Sequence, residues 1–404
     1  MRLAYLTTCF GTPSHTFIRR EIREFRRQGH TLCLYGIHKD TVVAADAQDL
    51  VSETHYLYPL SVFAAFGANL HYLFRHPKRY FKAMAMALSG IKSGLKRRLI
   101  FFFHFLASAP LARAMQRDGI QHIHAHFLHV PSSLAMFSSR LSGIPFSITI
   151  HSAGEQRLTH VDAIPMKLRE ADLLLMISRF NIEDYSKLEP LAASKAHVVR
   201  CGMALEDFPI RTPPESYREP LRILAVGRFV EKKGFAVLLK AIHLLTQNPA
   251  LNRALELEIL GAGPLYDELR AAVTEWDLDA VVKLPGQAST DEVRSKMRAA
   301  DVVVVPSTTT AKGEMEGIPV VLMEAMATGT PVIASAHSGI PELVNASTGT
   351  LVPENDPEAL ARAIHAFAVN AEQIHNARAL IENEFNIHRV VSTRATLFKE
   401  ALAP

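Results

Sequence analysis

Short apolar runs alternate with longer amphipathic stretches along the whole chain. The runs are LAYLTT, TLCLYGI, HIHAHF, PFSITIH, LLLMIS and AHVVR in the first half, and LRILAVG, LELEILG, VVKLPG, VVVVPS, PVIAS and GTLVP in the second. Amphipathic stretches such as residues 16–28, which end at Gly29, predict the intervening helices. Apolar strands separated by helices are typical of parallel sheets covered on both faces. The pattern therefore predicts an α/β protein with Rossmann-like sheets.

A proline-rich polar stretch, FPIRTPPESYREP, interrupts this alternation at residues 208–220. It has no hydrophobic period and is typical of a linker. The 404 residues also suit two domains of about 200 residues each. We predict an N-terminal domain over residues 1–207, a linker over 208–220 and a C-terminal domain over 221–385. Since ligands of open α/β sheets bind at the carboxyl ends of strands, we expect the two domains to face a central cleft.

Composition excludes several classes of protein. The chain is 48% hydrophobic and 21% charged, and its net charge of +4 is too small to indicate a nucleic-acid partner. Cys9, Cys33 and Cys201 have no paired spacing, which argues against a disulfide framework or a zinc site. The first residues lack the features of a secretory leader, and no run of about 18 apolar residues occurs. We therefore expect a cytoplasmic protein without a membrane span.

Residues 60–115 combine apolar and basic side chains and contain no acidic residue. The apolar patches include SVFAAFGANLHYLF and LIFFFHFLASAPLARAM. The basic residues between them include Arg75, Lys78, Arg79, Lys82, Lys92, Lys96, Arg97 and Arg98. Such a mixture suits helices that lie on an anionic bilayer, and we predict peripheral contact with the inner membrane surface. The alternative is a solvated basic face on helices that pack against the core.

The segment EGIPVVLMEAMATGTPVIAS, residues 316–335, is the most informative. Pro319 is suited to the first helical position, and Gly329 followed by Pro331 predicts the helix end. The helix between them is apolar all round except for Glu324, so we expect a buried carboxylate that ribose hydroxyls could satisfy. Glu316 lies just before the helix. Free backbone N–H groups near the helix start favour phosphate, so we predict that Gly317, Ile318, Pro319 and Val320 line the donor site.

Three further loops follow predicted strands of the second half. In VGRFVEKKG, Gly227 and Arg228 follow a strand and Lys233 precedes a helix, so two cations could neutralise a diphosphate. The alternative is that Arg228 and Lys233 are ordinary exposed surface charges. In ILGAGP, Gly263 belongs to an incomplete glycine motif that tight packing explains equally well. Gly286 and Gln287 end another strand, where backbone groups could contact a nucleobase. The pair Asp277 and Asp279 precedes a strand, so we discount it as a metal site.

Histidines mark the strand ends of the first half. His124 and His126 share one face of a strand, and His126 is nearer to its carboxyl end. Two histidines at this spacing could ligate a metal, but no third ligand lies nearby in sequence, so we favour an acceptor-side or a structural role and predict no metal site. His151 directly follows the strand PFSITI, where α/β folds place functional residues. A site role for His151 is the prediction, and a packed, hydrogen-bonded histidine is the alternative.

The stretch EGIPVVLMEAMATGTPVIASAHSGIPELV resembles the E-x7-E region of the retaining family 4 glycosyltransferases, which have the GT-B fold. VGRFVEKKG and LEILGAGP resemble further signatures of that family, in the same order, so the likeness covers most of residues 196–360. SHTFIRREIREFRRQGH, IHAHF and ITIHSAGE resemble the branch that acts in bacterial extracellular polysaccharide assembly. The resemblance also implies a C-terminal helix, about residues 386–404, that packs back on the N-terminal domain.

The resemblance assigns a role to each matching residue. It implies that Glu316 contacts the donor sugar, that Glu324 binds the ribose and that Arg228 and Lys233 bind the diphosphate. It also places His151 near the donor sugar at the reaction centre. Gly317-Ile318-Pro319 departs from the more frequent Gly-Phe-Gly. In the N-terminal half, Gly11 stands where many relatives have a glycine pair, and His15 stands where an acidic residue is common. These last differences affect the predicted acceptor side, Gly11, His15 and His126.

The resemblance implies a retaining, metal-independent hexosyltransferase without a cofactor. Its donor would be a UDP- or GDP-sugar, and its acceptor a lipid-linked oligosaccharide or polysaccharide. A GT-B nucleotide-sugar epimerase is an alternative, but the basic apolar region argues against it. A catalytically silent sugar-nucleotide-binding protein is another, but the four predicted donor residues are all present. A dehydrogenase is weaker still, because no full GxGxxG follows a strand.

Overall fold

Each half of the chain forms one parallel sheet. The computed structural model describes residues 1–12, 15–39, 43–91, 94–154, 162–212, 219–251, 253–368 and 370–402. The chain divides into a first unit, residues 1–151, 158–202 and 387–404, and a second unit, residues 152–157 and 203–386. The predicted linker begins at residue 208, five residues after the second unit's main segment begins, and its residues 213–218 lie outside the described residues.

The first unit contains a seven-stranded sheet in the order β3-β2-β1-β4-β5-β6-β7. Its strands are β1 (Arg2–Thr7), β2 (Thr31–Gly36), β3 (His55–Tyr56), β4 (His122–His126), β5 (Phe146–Ile150), β6 (Leu173–Met176) and β7 (Ala196–Val198). Its helices are α1 (Thr16–Arg27), α2 (Gln48–Ser52), α3 (Val62–Arg75), α4 (Pro77–Ser89), α5 (Leu95–Arg117), α6 (Val130–Ser142), α7 (Ile164–Glu170), α8 (Arg179–Ser186), α9 (Leu191–Lys195) and α16 (Ile387–Glu400). The strand order reverses direction at β1 and β4, and a reversal is where open α/β sheets bind ligands.

The second unit contains a six-stranded parallel sheet in the order β10-β9-β8-β11-β12-β13. Its strands are β8 (Leu221–Val226), β9 (Leu255–Leu260), β10 (Val282–Gly286), β11 (Val302–Val305), β12 (Val332–Ser335) and β13 (Thr350–Val352). Its helices are α10 (Phe235–Gln247), α11 (Tyr266–Glu275), α12 (Thr290–Ala299), α13 (Val320–Thr328), α14 (Pro357–His365) and α15 (Ala371–Glu384). Here the order reverses at β8 and β11, so the loops after these two strands flank the expected ligand position.

The predicted α/β class with two Rossmann-like parallel sheets is confirmed. Every predicted apolar run contains a strand, and the two-residue strand β3 is the one described strand that the pattern missed. Strands β6 and β11 carry continuous apolar sequence, as strands covered on both faces do, whereas β9 alternates apolar and acidic residues. Helix α1 begins at Thr16 as predicted, and α13 spans the predicted residues.

Helix α5 is long and apolar enough to cross a bilayer, judged by length and composition alone. The sequence predicted no span, because charged residues interrupt its apolar runs. In the structure Phe101, Phe105 and Met115 are completely buried in the core of the first unit. Burial of this face is what a core helix of a globular unit requires.

The last described helix, α16, belongs to the first unit although the second unit precedes it in sequence. It packs against α1, where the ring of Phe398 stacks on Phe25 with centroids 6.0 Å apart. Gln28 at the end of α1 donates a hydrogen bond to the carbonyl of His388 at 3.1 Å. The chain therefore returns to its first sheet and contributes side chains to that sheet's core.

Candidate functional site

Two predicted residues from separate loops meet at the reversal point of the second sheet. Lys233 follows β8, and Glu316 lies in the loop between β11 and α13. The Lys233 ammonium nitrogen donates to a Glu316 carboxylate oxygen at 2.6 Å, and only 18% and 10% of the two side chains are exposed. An ion pair so little exposed keeps the two side chains in one geometry. The structure thus brings together the residues predicted to contact phosphate and sugar.

The turn around Lys233 depends on two glycines. Gly234 has a φ of +67° and caps α10, and a Cβ there would meet the carbonyl oxygen of Pro306 at 1.8 Å. Gly227 lies beneath the Lys233 stem, whose Cδ and Cε atoms a Cβ would approach to 3.2 Å. Arg228 between them is exposed. The loop therefore presents a fixed ammonium and an accessible guanidinium on one strand end.

Helix α13 carries the second predicted carboxylate. Its other residues are buried except Val320, whereas Glu324 is half-buried rather than fully buried as the sequence predicted. Pro319 is the cap residue, with ψ of 128°, and not the first helical residue, so that prediction was wrong by one position. Gly329 ends the helix in the left-handed conformation as predicted, with φ of +75°. Gly317 is half-buried and Ile318 buried, just before the helix start.

The glycine pair after β9 packs against the loop after β8. A Cβ on Gly263 would lie 2.4 Å from the Phe229 carbonyl oxygen, and a Cβ on Gly261 would lie 1.9 Å from that of Gly227. Close backbone packing, which the sequence left open, therefore accounts for both glycines. At the end of β10, Gly286 has a φ of +95° and Gln287 is exposed. Asp279, from the discounted acidic pair, binds Arg270 at 2.8 Å.

Sequence reasoning missed a histidine and a carboxylate beside Glu316. His337 follows β12 and is 1% exposed, and Glu354 follows β13. The Glu316 backbone amide donates to His337 Nε2 at 3.1 Å, while His337 Nδ1 lies 2.7 Å from a Glu354 carboxylate oxygen. Burial raises the pKa of the Glu354 carboxyl, but hydrogen bonds from His337 and Thr309 outweigh it and the pKa is lowered. Their position directly after strands was the signal that could have found them.

The first unit holds a buried polar network under its own reversal point, called here the sealed cluster. It consists of Tyr5, Glu21, His124, His126 and Arg394. Arg394, from α16, donates to a Glu21 carboxylate oxygen at 2.6 Å, and the Tyr5 hydroxyl donates to the same oxygen. Burial raises the pKa of Glu21 despite the arginine. The charges of Glu21 and Arg394 thus compensate each other inside the unit.

His151 lies at the edge of the sealed cluster. Its Nε2 atom is 3.0 Å from Nδ1 of His126, so one imidazole donates to the other. Burial, together with the charge of Arg394, lowers the pKa of both histidines well below the ordinary value. Both rings are therefore neutral near pH 7. The rings of Phe17 and Phe127 also pack on His151, with centroids 4.6 and 4.9 Å away.

The predicted acceptor-side residues gather around this point. His15 packs on Phe127 with ring centroids 5.2 Å apart, and its Nδ1 lies 3.4 Å from the Cys9 carbonyl oxygen. Gly11 is buried in the preceding loop. The structure therefore collects Gly11, His15, His126 and His151 at the carboxyl ends of β1, β4 and β5.

The side chains around His124 and His126 argue against a metal ion at this pair. Glu21 supplies the third group that the local sequence lacked, and its ligand atom lies within 4.8 Å of those of His124 and His126. However, the Arg394 guanidinium and the Tyr5 hydroxyl already bind Glu21, and Arg394 also lies 3.2 Å from Thr149 Oγ1. A fixed cation in this position opposes a metal ion, so a structural role fits the pair better.

Known proteins resemble this chain in both sequence and structure. The model for "Glycosyl transferases group 1" matches residues 207–384. The amylovoran biosynthesis glycosyltransferase AmsK of Erwinia amylovora is 31% identical over 96% of this chain and 97% of its own length. The putative colanic acid biosynthesis glycosyltransferase WcaL of Salmonella typhimurium is 30% identical over 99% of this chain and 100% of its own length. Neither name describes an epimerase.

Among solved structures, HepE of Anabaena in complex with UDP and glucose has a TM-score of 0.68. It covers 99% of this chain and 100% of its own, at 16% sequence identity. At that identity the likeness concerns the fold, which agrees with the two parallel sheets described above.

Proposed function

Because this chain belongs to the glycosyl transferases of group 1 and is a glycosyltransferase, we propose that it moves a sugar from a UDP- or GDP-sugar to a growing extracellular polysaccharide or its lipid-linked precursor. The names of AmsK and WcaL, which refer to amylovoran and colanic acid, support this acceptor class. We further propose that transfer retains the anomeric configuration and requires no metal ion.

The ion pair between Lys233 and Glu316 is the observation that carries the donor part of the proposal. A nucleoside diphosphate at the reversal point would compete with Glu316 for the lysine. Lys233 and the exposed Arg228 would then hold the phosphate oxygens, where charge grows as the diphosphate leaves. Glu316, released from the lysine, would accept hydrogen bonds from the hydroxyls of the donor sugar. The same exchange lets two fixed cations replace a metal ion.

The remaining donor contacts come from two other elements. The half-buried carboxylate of Glu324 is suited to both ribose hydroxyls, because an ionised carboxylate accepts more than one hydrogen bond. Backbone N–H groups at the start of α13 and at Gly317 before it would face the phosphate. Gly286 and Gln287 offer backbone and amide groups to the base. These contacts would fix the nucleotide while the sugar remains free to reach the acceptor.

The first unit would supply the acceptor side. His151, neutral and hydrogen-bonded to His126, would orient the donor sugar rather than carry a charge. The leaving phosphate is a suitable base for the proton of the acceptor hydroxyl, since the buried imidazoles resist protonation. Gly11 and His15 lie in the loop where the acceptor would enter.

Contact with a membrane is supported by the surface of α3, α4 and α5. Phe63, Phe74 and Leu95 expose 91%, 76% and 74% of their surface. Lysines and arginines lie among them, and the sequence from 54 to 117 has no acidic residue. Apolar side chains beside positive charge suit the headgroup region of an anionic bilayer. A lipid-linked acceptor would be met at that surface.

Donor binding can be tested by thermal shift with UDP, GDP, ADP and NAD, with and without EDTA. We expect one of UDP and GDP to raise the melting temperature, with EDTA making no difference. Arg228→Ala should reduce this shift, whereas Arg389→Ala on the exposed side of α16 should not. A shift that EDTA abolishes would refute metal-independent binding, and a response to NAD alone would refute the donor assignment.

Membrane contact can be tested by co-sedimentation with vesicles. Wild-type protein should sediment with vesicles that contain anionic phospholipid and remain in solution with purely zwitterionic vesicles. Added salt should weaken its sedimentation with the anionic vesicles. Phe63→Ser combined with Phe74→Ser should abolish sedimentation. Leu191→Ser, which changes an exposed apolar residue elsewhere in the unit, is the control. Equal binding by both variants would refute the proposed surface.

A further inference from the structure

The loop that carries Glu316 is held at both ends by one pair of side chains. This loop connects β11 to α13 and spans residues 306–319. Near its start, the Thr309 amide donates to a Glu354 carboxylate oxygen at 2.5 Å, and the Thr308 hydroxyl lies 3.4 Å from the same oxygen. Near its end, the Glu316 amide donates to His337. Since His337 also binds Glu354, the two residues form a brace across the loop.

The brace fixes which nitrogen of His337 carries the proton. A carboxylate only accepts hydrogen bonds, so Nδ1 must donate to Glu354. Nε2 is then the bare nitrogen of a neutral imidazole and can accept the Glu316 amide proton. Ring burial excludes water as a substitute partner for either bond. Glu354 therefore decides whether His337 can hold the Glu316 backbone at all.

Glu316 is thus held in two different ways. Its side chain binds Lys233, a bond that phosphate would take over under the proposed function. Its backbone binds His337, a bond that no donor group needs to replace. After the side chain is released, the brace still holds the Glu316 backbone directly and keeps the carboxylate near the expected position of the sugar. An error of about 1 Å in such a position can cost about a hundredfold in rate.

We propose that His337 and Glu354 are positioning residues that act through Glu316 and set the turnover of the donor sugar without contributing to nucleotide affinity. This inference rests on the proposed function, because it takes Glu316 as the sugar contact. Neither residue is part of the predicted donor set. Their action is indirect: the carboxylate orients the imidazole, the imidazole holds the amide, and the amide holds the Glu316 side chain in place.

Two substitutions of His337 separate its two hydrogen bonds. In His337→Gln the amide oxygen reaches the position of Nε2 and can accept from Glu316, but the bond to Glu354 is lost. In His337→Asn the amide nitrogen lies where Nδ1 was and can donate to Glu354, but nothing accepts from Glu316. The rate of nucleoside diphosphate release from UDP-glucose and GDP-mannose is the readout, with thermal shift by UDP and GDP as the measure of nucleotide binding.

We expect His337→Asn to lower kcat roughly tenfold or more while the affinity for UDP or GDP stays within about twofold. His337→Gln should retain clearly more activity. On a Glu316→Ala background, His337→Asn should cause no further loss, because the side chain that it positions is gone. A residue needed only for folding would lower both backgrounds alike and would weaken nucleotide binding too.

A second variant keeps the test decisive if His337→Asn proves unstable. Glu354 lies at the surface edge with 27% of its side chain exposed, so Glu354→Gln should fold. Its amide permits either tautomer of His337, and kcat should fall several-fold with unchanged nucleotide affinity. Wild-type activity in both Glu354→Gln and His337→Asn would overturn the inference while leaving the proposed function intact. Absence of nucleotide binding and transfer in the wild-type protein would instead overturn the proposed function.

Discussion

The two polar clusters of this molecule are built from similar residue types but differ in what their charges bind. In the sealed cluster of the first unit, Glu21 and Arg394 bind each other, and both are almost completely buried. In the second unit, Glu316 binds Lys233 between the loops that follow β11 and β8, and Arg228 in the β8 loop is exposed. A fully buried ion pair stabilises the fold, whereas a partly exposed ion pair in a loop can exchange partners with a ligand.

The pKa values of the two clusters differ in the same way. Burial raises the pKa of Glu21, because two partners do not repay the loss of water. Hydrogen bonds from His337 and Thr309 lower the pKa of Glu354, because they stabilise the ionised carboxylate of a group that is only partly buried. Burial therefore disfavours the ionised form of Glu21 in the first cluster. In the second cluster Glu354 remains ionised and can orient its neighbour. Four predictions test this difference.

The largest expected effect is a lower acid stability of the first unit. Burial lowers the pKa of His122 to about 3 and those of His124, His126 and His151 well below their usual range. Below the unfolded pKa of about 6.5 only the unfolded chain takes up these protons. Stability therefore falls as the pH drops from about 6.5 towards 3, by up to about 1.4 kcal/mol per pH unit for each histidine. The raised pKa of Glu21 opposes this, but as a single group.

The single tryptophan, Trp276, makes this measurable, because it lies in the second unit. Acid titration followed by far-UV circular dichroism reports both units, and tryptophan fluorescence reports the second alone. We expect a circular dichroism change that begins at a higher pH than the fluorescence change. Coincident transitions that begin only below about pH 4.5 would show that the buried histidines do not control acid stability.

The next largest effect is expected from removing one partner of the buried ion pair. Arg394→Met leaves the Glu21 carboxylate buried with only the Tyr5 hydroxyl, which should destabilise the first unit by about 3–5 kcal/mol. Adding Glu21→Gln should recover most of the loss, since no uncompensated charge remains. Arg389→Met on the exposed side of the same helix is the control and should change stability by less than about 0.5 kcal/mol.

Urea unfolding of these variants, followed by circular dichroism and Trp276 fluorescence, provides the measurement. The circular dichroism midpoint should fall for Arg394→Met while the fluorescence midpoint stays close to that of the wild type. A double variant as unstable as the single one would show that Arg394 contributes through packing rather than through its charge.

In the second unit, removing a carboxylate should reduce nucleotide binding or turnover more than it reduces stability. Glu324→Ala should weaken UDP or GDP binding by about 1–3 kcal/mol, roughly 5- to 150-fold, because the ribose hydroxyls lose a charged acceptor. Glu316→Ala should not weaken nucleotide binding and should, if anything, strengthen it, because Lys233 loses its competing carboxylate; turnover should fall. Isothermal titration with each nucleotide measures the first effect, and Glu275→Ala, at an exposed site, is the control. Unchanged affinity in Glu324→Ala would refute the ribose role.

The sequence predicted the architecture better than the contacts. Alternating apolar runs located the strands, and the segment 316–335 located α13 to within one residue, because burial and helix-end glycine leave strong local patterns. The sealed cluster could not be foreseen, since Glu21 and Arg394 are 373 positions apart. His337 and Glu354 likewise come from two different strand ends. Polar residues that meet only through tertiary packing carry no periodic signal, which is why the support of Glu316 was missed.

The smallest expected effect concerns the pH dependence of Glu354. A carboxyl with a lowered folded-state pKa contributes stability above its unfolded pKa of about 4.5 and loses that contribution as the pH falls through the folded value. Glu354→Gln removes the contribution at neutral pH and has little left to remove in acid. The difference in urea midpoint between wild type and Glu354→Gln, read by Trp276 fluorescence, should therefore be largest near pH 6 and shrink towards pH 3. A difference that is independent of pH would mean that Glu354 holds the loop through packing and neutral hydrogen bonds rather than through its charge.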